Sequence, residues 1–169
     1  MSKILGVDPG LVKTGWGVIC KEARDDVRYV DCGVIKTKSN LPMEERLSFI
    51  FDAVQDLIFK FEPASIAMEE VFVNMNPKTS EKLIMARSAA FVAIAKAGFQ
   101  VNEYRPNEIK KNITGLGHAT KEQVHFFIQK ILNITLEKDN KTKTADSMDA
   151  LAVALCCAFS RRDIFKALQ

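Results

Sequence analysis

The apolar residues of this chain first change their spacing, from a period of two to one of 3.6, at Leu47, and that switch limits the folds open to it. Before it, short apolar runs at Lys3–Asp8, Thr14–Cys20 and Val27–Thr37 are separated by Asp8-Pro9-Gly10 and by the polar stretch Lys21–Asp26, the pattern of three strands in a meander. After it, Leu47, Ile50, Phe51, Val54, Leu57, Ile58 and Phe61 form one helical stripe between Pro42 and Pro63. Ser65–Val73 then reads as a strand buried on both faces. Asn76-Pro77 opens an alanine-rich helix, with Asn as cap and Pro in the first turn, and Gly98 stops it after about Ala97. Phe99–Tyr104 reads as a fifth strand and Pro106 to about Ile113 as a short helix. Thr120 and Gln123 make a capping box for a helix with the stripe Val124, Phe127, Ile128 and Ile131. A polar segment, Glu137–Thr144, precedes a last helix from about Ala145 to Phe159. A meander followed by alternating helices and strands predicts an α/β fold: a mixed five-stranded sheet with helices on both faces.

Length and composition narrow the class further. With 169 residues, 47% of them hydrophobic, one compact domain spanning 1–169 with a real core is expected, which excludes disordered, collagen-like and coiled-coil chains. The apolar stretch Ala150–Phe159 falls short of the ~20 residues a membrane span needs, and Met-Ser-Lys-Ile-Leu runs straight into a strand pattern without a cleavable signal. A cytoplasmic protein with no membrane partner is the expectation. The four cysteines, Cys20, Cys32, Cys156 and Cys157, lack metal-ligand spacing and read as buried reduced thiols. A formal charge of +3 permits a nucleic-acid partner without demanding one. No G-x-G-x-x-G follows the first strand and no G-x-x-x-x-G-K-[ST] is present; Gly115-Leu116-Gly117 reads as a helix-entry loop.

The residues that carry chemistry are acids set in apolar segments, because Asp and Glu are rarely buried unless paired or bound to a metal. Asp8 ends the first strand, where, taken alone, a turn-forming role before Pro9 is the simpler reading. Glu69 and Glu70 lie inside an apolar strand and point to opposite sheet faces, so only one of them can enter a given site. Asp146 and Asp149, three apart, share one side of the last helix; acids at a helix N-terminus are also favoured by the macrodipole. Gathered carboxylates raise one another's pKa unless cations hold them ionised. An all-oxygen set points to Mg²⁺, with Mn²⁺ able to substitute, and two such ions suit in-line phosphoryl chemistry.

Four segments together resemble the RuvC family of bacterial Holliday (crossover) junction endodeoxyribonucleases. They are Ile4-Leu5-Gly6-Val7-Asp8-Pro9-Gly10 with Thr14-Gly15-Trp16-Gly17; Ala67-Met68-Glu69-Glu70-Val71-Phe72; Thr114-Gly115-Leu116-Gly117 with Lys121; and Ala145-Asp146-Ser147-Met148-Asp149-Ala150-Leu151-Ala152. The resemblance implies a ribonuclease H-like fold and a homodimer that resolves four-way DNA junctions by symmetric, metal-dependent nicking during recombination and repair. It assigns the catalytic and metal-holding roles to Asp8, Glu69, Asp146 and Asp149, with two Mg²⁺ per site, and leaves Glu70 as a supporting residue. It places Phe72, Lys110 or its neighbour Lys111, and Lys121 near DNA, and implies a branch-migration helicase complex as a further partner. Leu11 and Val12 depart from the family, which often carries a small polar and a basic residue there.

On the residues alone, Phe72 can be core or can stack on an unpaired base, the lysines can be solvated surface or phosphate contacts, and His118 reads as a loop residue. The stripe Ala86, Ala89, Ala90, Ala93 and Ala97 can serve a dimer interface or this chain's own sheet. Two alternatives to the junction endonuclease remain open: another ribonuclease H-like nuclease acting on RNA or single strands, and a junction-binding protein without chemistry, which leaves the buried acids unexplained. An actin-like ATP-binding domain also begins with an Asp-containing strand turn, but 169 residues are too few for its two lobes.

Overall fold

A computed structural model describes residues 1–22, 26–71, 77–135 and 144–160. Among these, the strands β1 (Ser2–Asp8), β2 (Lys13–Lys21), β3 (Val27–Lys36), β4 (Ser65–Glu69) and β5 (Val101–Tyr104) form one sheet in the order β3-β2-β1-β4-β5. The meander β1-β2-β3 is antiparallel, and β4 and β5 add in parallel beside β1. The helices are α1 (Met43–Phe61), α2 (Pro77–Lys96), α3 (Pro106–Thr114), α4 (Lys121–Leu132) and α5 (Ala145–Phe159). The mixed sheet with helices on both faces is as expected, and the capping box of Thr120 and Gln123 is present. No helix among the described residues is long and apolar enough to cross a membrane.

Side-chain alternation sorts the sheet into two cores. Leu5, Val7, Val18, Ile66 and Met68 pack with α1 and α2 on one face, while Ile4, Ile19 and Ala67 pack with α3, α4 and α5 on the other. The four cysteines, all among the described residues, form no disulfide; Cys32, Cys156 and Cys157 are buried and Cys20 is half-buried.

Four expectations need correction. The fourth strand ends at Glu69 rather than Val73, because its pairing runs out: Val7–Met68 is its last register pair with β1 and Glu69–Tyr104 its last with β5. The acids therefore sit at the strand's carboxyl end, not in its middle. The fifth strand starts at Val101, because Gly98 at φ 86° closes α2 and the Phe99 N–H bonds back to Ile94 O. The alanine stripe is used within the chain: Ala86, Ala90 and Ala93 are fully buried in the α1–α2 core, so it gives no argument for a dimer. The last helix, given one stripe by the sequence, is buried all round from Ala150 to Ala158, because the sheet covers one side and α3 and α4 the other. Phe72, Asn76 and residues 137–143 of the polar segment lie outside the described residues.

Candidate active site

The carboxyl ends of the parallel strands β1 and β4 open into a cleft, the usual place for a site in an α/β sheet. One part, about 390 Å³, is lined by Asp8, Glu69 and Glu70, and an adjoining part of about 310 Å³ by Glu69, Lys110, Lys121 and Asp149. Asp8 and Glu69 share a sheet face with Ile4 and Ala67, toward α5. Glu70 also lines the first part; its N–H donates to Tyr104 O and its carboxylate accepts from Arg105 Nε at 3.3 Å. The expectation that only one of the two glutamates can enter the site is corrected: β4 ends at Glu69, so strand alternation does not govern Glu70, and what separates them is that only Glu69 also lines the second part, beside Asp149.

What brings α5 to Asp8 is the absence of side chains beneath it. Gly6 pairs with Gly17, and Asp8 with Gly15, across β1 and β2. A Cβ on Gly6 would stand 2.1 Å from Ala150 O, and one on Gly15 would stand 2.0 Å from Asp146 O. The backbone of α5 therefore rests directly on the sheet, which sets Asp146 and Asp149 beside Asp8. Ser147 secures the helix start: its hydroxyl accepts from Thr144 N–H and donates to Thr144 O, each at 2.9 Å.

The turn after Asp8 is also braced. Thr14 Oγ1 donates to Gly10 O at 2.9 Å, and buried Arg46 donates to Leu11 O at 3.1 Å and to Thr37 Oγ1 at 3.0 Å. Leu11 is core while Val12 is exposed, so the positive charge of this turn is carried by Lys13, whose ammonium lies 3.9 Å from Asp146 Oδ2.

Asp8 and Glu69 both respond to burial and to the acids around them. Burial, followed by the charges of Asp149, Glu69 and Asp146, pushes the Asp8 carboxyl up to about 7. Burial and Asp149 likewise raise Glu69, with Lys110 and Lys121 opposing. Lys121 is raised: burial alone would lower it, but its hydrogen bond to Asp149 and the charges of Asp149, Asp8 and Asp146 outweigh that. Its ammonium thus lies amid the acids, 2.5 Å from Asp149 Oδ2, while His125 Nε2 meets Asp149 Oδ1 at 2.8 Å. Among the described residues, no three His, Cys, Asp or Glu side chains are already drawn together around one ion position. Lys13 turns Asp146, and Lys121 with His125 turns Asp149, toward separate partners. The donor chemistry nevertheless fits a hard divalent cation: four carboxylates from three elements, with one raised to about 7 by burial and then by the others' charge.

Of the remaining residues singled out in the sequence, Lys110 lines the cleft and acts on Glu69, whereas Lys111 points to solvent. His118 is exposed in the α3–α4 loop and lines neither part of the cleft. The sequence reasoning missed Lys13, Arg46 and His125. The one available signal was the helical i, i+4 spacing of Lys121 and His125.

A family model described as crossover junction endodeoxyribonuclease RuvC matches residues 4–157. The crossover junction endodeoxyribonuclease RuvC of Wolbachia pipientis subsp. Culex pipiens is 39% identical over 165 residues, covering 98% of this chain and 97% of that protein. That of Ehrlichia canis is 41% identical over 160 residues, covering 95% and 98%. Among solved structures, Thermus thermophilus RuvC in complex with Holliday junction substrate matches with a TM-score of 0.85 at 31% identity over 94% of each chain. The yeast mitochondrial Holliday junction resolvase Ydc2, 14% identical with a TM-score of 0.64 over 99% of this chain and 86% of that one, shares the fold. Sheet order, carboxylate placement and these matches agree with the ribonuclease H-like architecture expected above: the chain belongs to the RuvC family of crossover junction endodeoxyribonucleases.

Proposed function

We propose that this chain is a structure-selective endonuclease that hydrolyses phosphodiester bonds at four-way DNA junctions, with Asp8, Glu69, Asp146 and Asp149 as its metal-holding catalytic acids. The observation that carries the reading is Asp8, a carboxyl raised to about 7 by burial and three neighbouring acids. A fold bears such repulsion at a strand end where divalent cations are to relieve it. Oxygen donors without a sulfur or imidazole cluster favour Mg²⁺, two per site, with Mn²⁺ as a substitute. When bound, such ions supply activation of the attacking water and neutralisation of charge at the phosphate.

The chain's own groups do the rest. Asp8 and Glu69, on adjacent strands, form the fixed floor of the site, and α5 supplies Asp146 and Asp149 from above. Asp146 and Asp149, now paired with Lys13 and Lys121, would hold the cation, which would leave those two ammonium groups available to the phosphate. Lys110, at the cleft wall, adds a phosphate contact, with Lys111 beside it on the solvent side and Phe72 stacking on a base near the crossover. The whole chain, 1–169, acts as one nuclease domain in a cytoplasmic homodimer, so that two sites nick two strands symmetrically. A branch-migration helicase complex delivers the junction.

The test is nicking of a synthetic four-way junction by the purified chain. Paired nicks in Mg²⁺ and none in EDTA are expected. Cleavage that persists in EDTA, or that is faster on an RNA–DNA hybrid than on the junction, would contradict the reading.

A further inference from the structure

The two functional side chains of α4 divide Asp149 between them. Lys121 and His125 are one helical turn apart, and each takes a different oxygen of the carboxylate: Lys121 takes Oδ2 and His125 takes Oδ1. They are not equivalent. The Lys121 side chain is 55% exposed, whereas that of His125 is 13% exposed and seated between α4 and α5. Lys121 lines the cleft together with Glu69 and Asp149, so the oxygen it touches, Oδ2, is the one on the cleft side. His125, which holds Oδ1, is not among the residues lining that part of the cleft. As a carboxylate, Asp149 can only accept, so Nε2 carries the ring proton and donates. The base of this arm is fixed: the Thr120–Gln123 capping box sets where α4 begins, and Val124 and Ile128 anchor the flanking turn in the core.

We infer that His125 is a positioning residue: by holding Asp149 Oδ1, it fixes the rotation of that carboxylate and reserves Oδ2 for a cation shared with the other acids. This rests on the reading of Asp149 as a metal-holding acid. Partners of this kind set the orientation and basicity of a ligand they do not replace, and losing one typically costs 10–100-fold in metal affinity or activity. Only the i, i+4 spacing from Lys121 marks residue 125 in the sequence, because a His on the polar edge of an amphipathic helix otherwise reads as ordinary surface.

The experiment uses the full chain and two readouts. One is Mn²⁺ binding by calorimetry without DNA; the other is kcat and KM for nicking a four-way junction at saturating Mg²⁺. The variants are His125→Leu, which fills the seam without a donor, His125→Ala as a second deletion should leucine not fold, His125→Gln, which restores an N–H donor, and Asp149→Asn. Deletion of the donor is expected to weaken Mn²⁺ binding about tenfold and lower kcat about 10–100-fold with KM within about twofold, while glutamine recovers most of both. A leucine or alanine variant within about twofold of wild type in both readouts overturns the positioning role, as does a glutamine variant no better than either. Unchanged Mn²⁺ affinity in Asp149→Asn overturns the metal reading itself, and the positioning role with it.

Discussion

The two faces of the central sheet are built on opposite principles. Toward α1 and α2, the strands present Leu5, Val7, Val18 and Met68, all fully buried, and helix and sheet are held apart by interlocking side chains. Toward α5, the strands present Gly6, Gly15 and Gly17, and the helix backbone lies on the sheet itself. The first face is ordinary hydrophobic packing. The second keeps apolar packing at Ile4, Ile19 and Ala67 but gives it up beneath the start of α5, which brings that helix within reach of Asp8 and leaves one carboxyl raised to about 7 by burial and its neighbours. The first face therefore serves stability alone and the second serves both stability and chemistry, and substitutions on each should tell them apart.

The largest contrast is expected between the adjacent glutamates. Asp8→Asn, Glu69→Gln, Asp146→Asn and Asp149→Asn should each lower junction nicking by about 10³-fold or more, with junction binding in a gel-shift assay largely kept. Glu70→Gln, beyond the strand end and paired with Arg105, should change the rate less than about threefold. Equal loss at Glu69 and Glu70 would break the separation of the two glutamates.

Next come neighbouring residues of β1. Gly6→Ala puts a Cβ where the Ala150 carbonyl stands, so α5 must lift; a stability loss of about 3 kcal/mol or more in urea unfolding is expected, and about 10²-fold less nicking per folded molecule. Val7→Ala, on the α1–α2 face, should cost about 2 kcal/mol and leave nicking per folded molecule unchanged.

These contrasts were only partly legible in the chain. The acids stood out because carboxylates inside apolar segments demand a reason, and the order of strands and helices followed from periodicity. Where β4 ends was hidden, because an apolar run does not show where its partner strands stop. The alanine stripe was ambiguous by nature, since small residues serve an internal helix contact as well as a dimer. His125 and Lys13 became visible only through their partners, and a residue type does not name its partner. Lys110 and Lys111 could not be told apart until the start of α3 fixed which of them turns into the cleft.

A third prediction concerns pH. Asp8 ionises near 3.8 when unfolded but holds its proton to about 7 in the folded, cation-free protein. Between those values the native state binds the extra proton, so the stability arising from this group falls as pH rises, by at most about 4 kcal/mol over the window. In EDTA, the melting temperature should drop between pH 5 and pH 8, and Asp8→Asn should flatten that slope and melt higher than wild type at pH 8. A wild-type slope indistinguishable from that of Asp8→Asn would show that the cluster is not strained. The smallest effect is expected at the cleft wall. Lys110→Ala should weaken junction binding and reduce its salt dependence by about one counterion, and Lys111→Ala should do less, as measured by binding at several salt concentrations.

The most direct measurement is the titration of the Asp8 carboxyl carbon by ¹³C NMR, with and without Mg²⁺. The account predicts a midpoint of about 7 without the cation and a clear downward shift when Mg²⁺ is added. A midpoint in the ordinary aspartate range, unmoved by Mg²⁺, would contradict it.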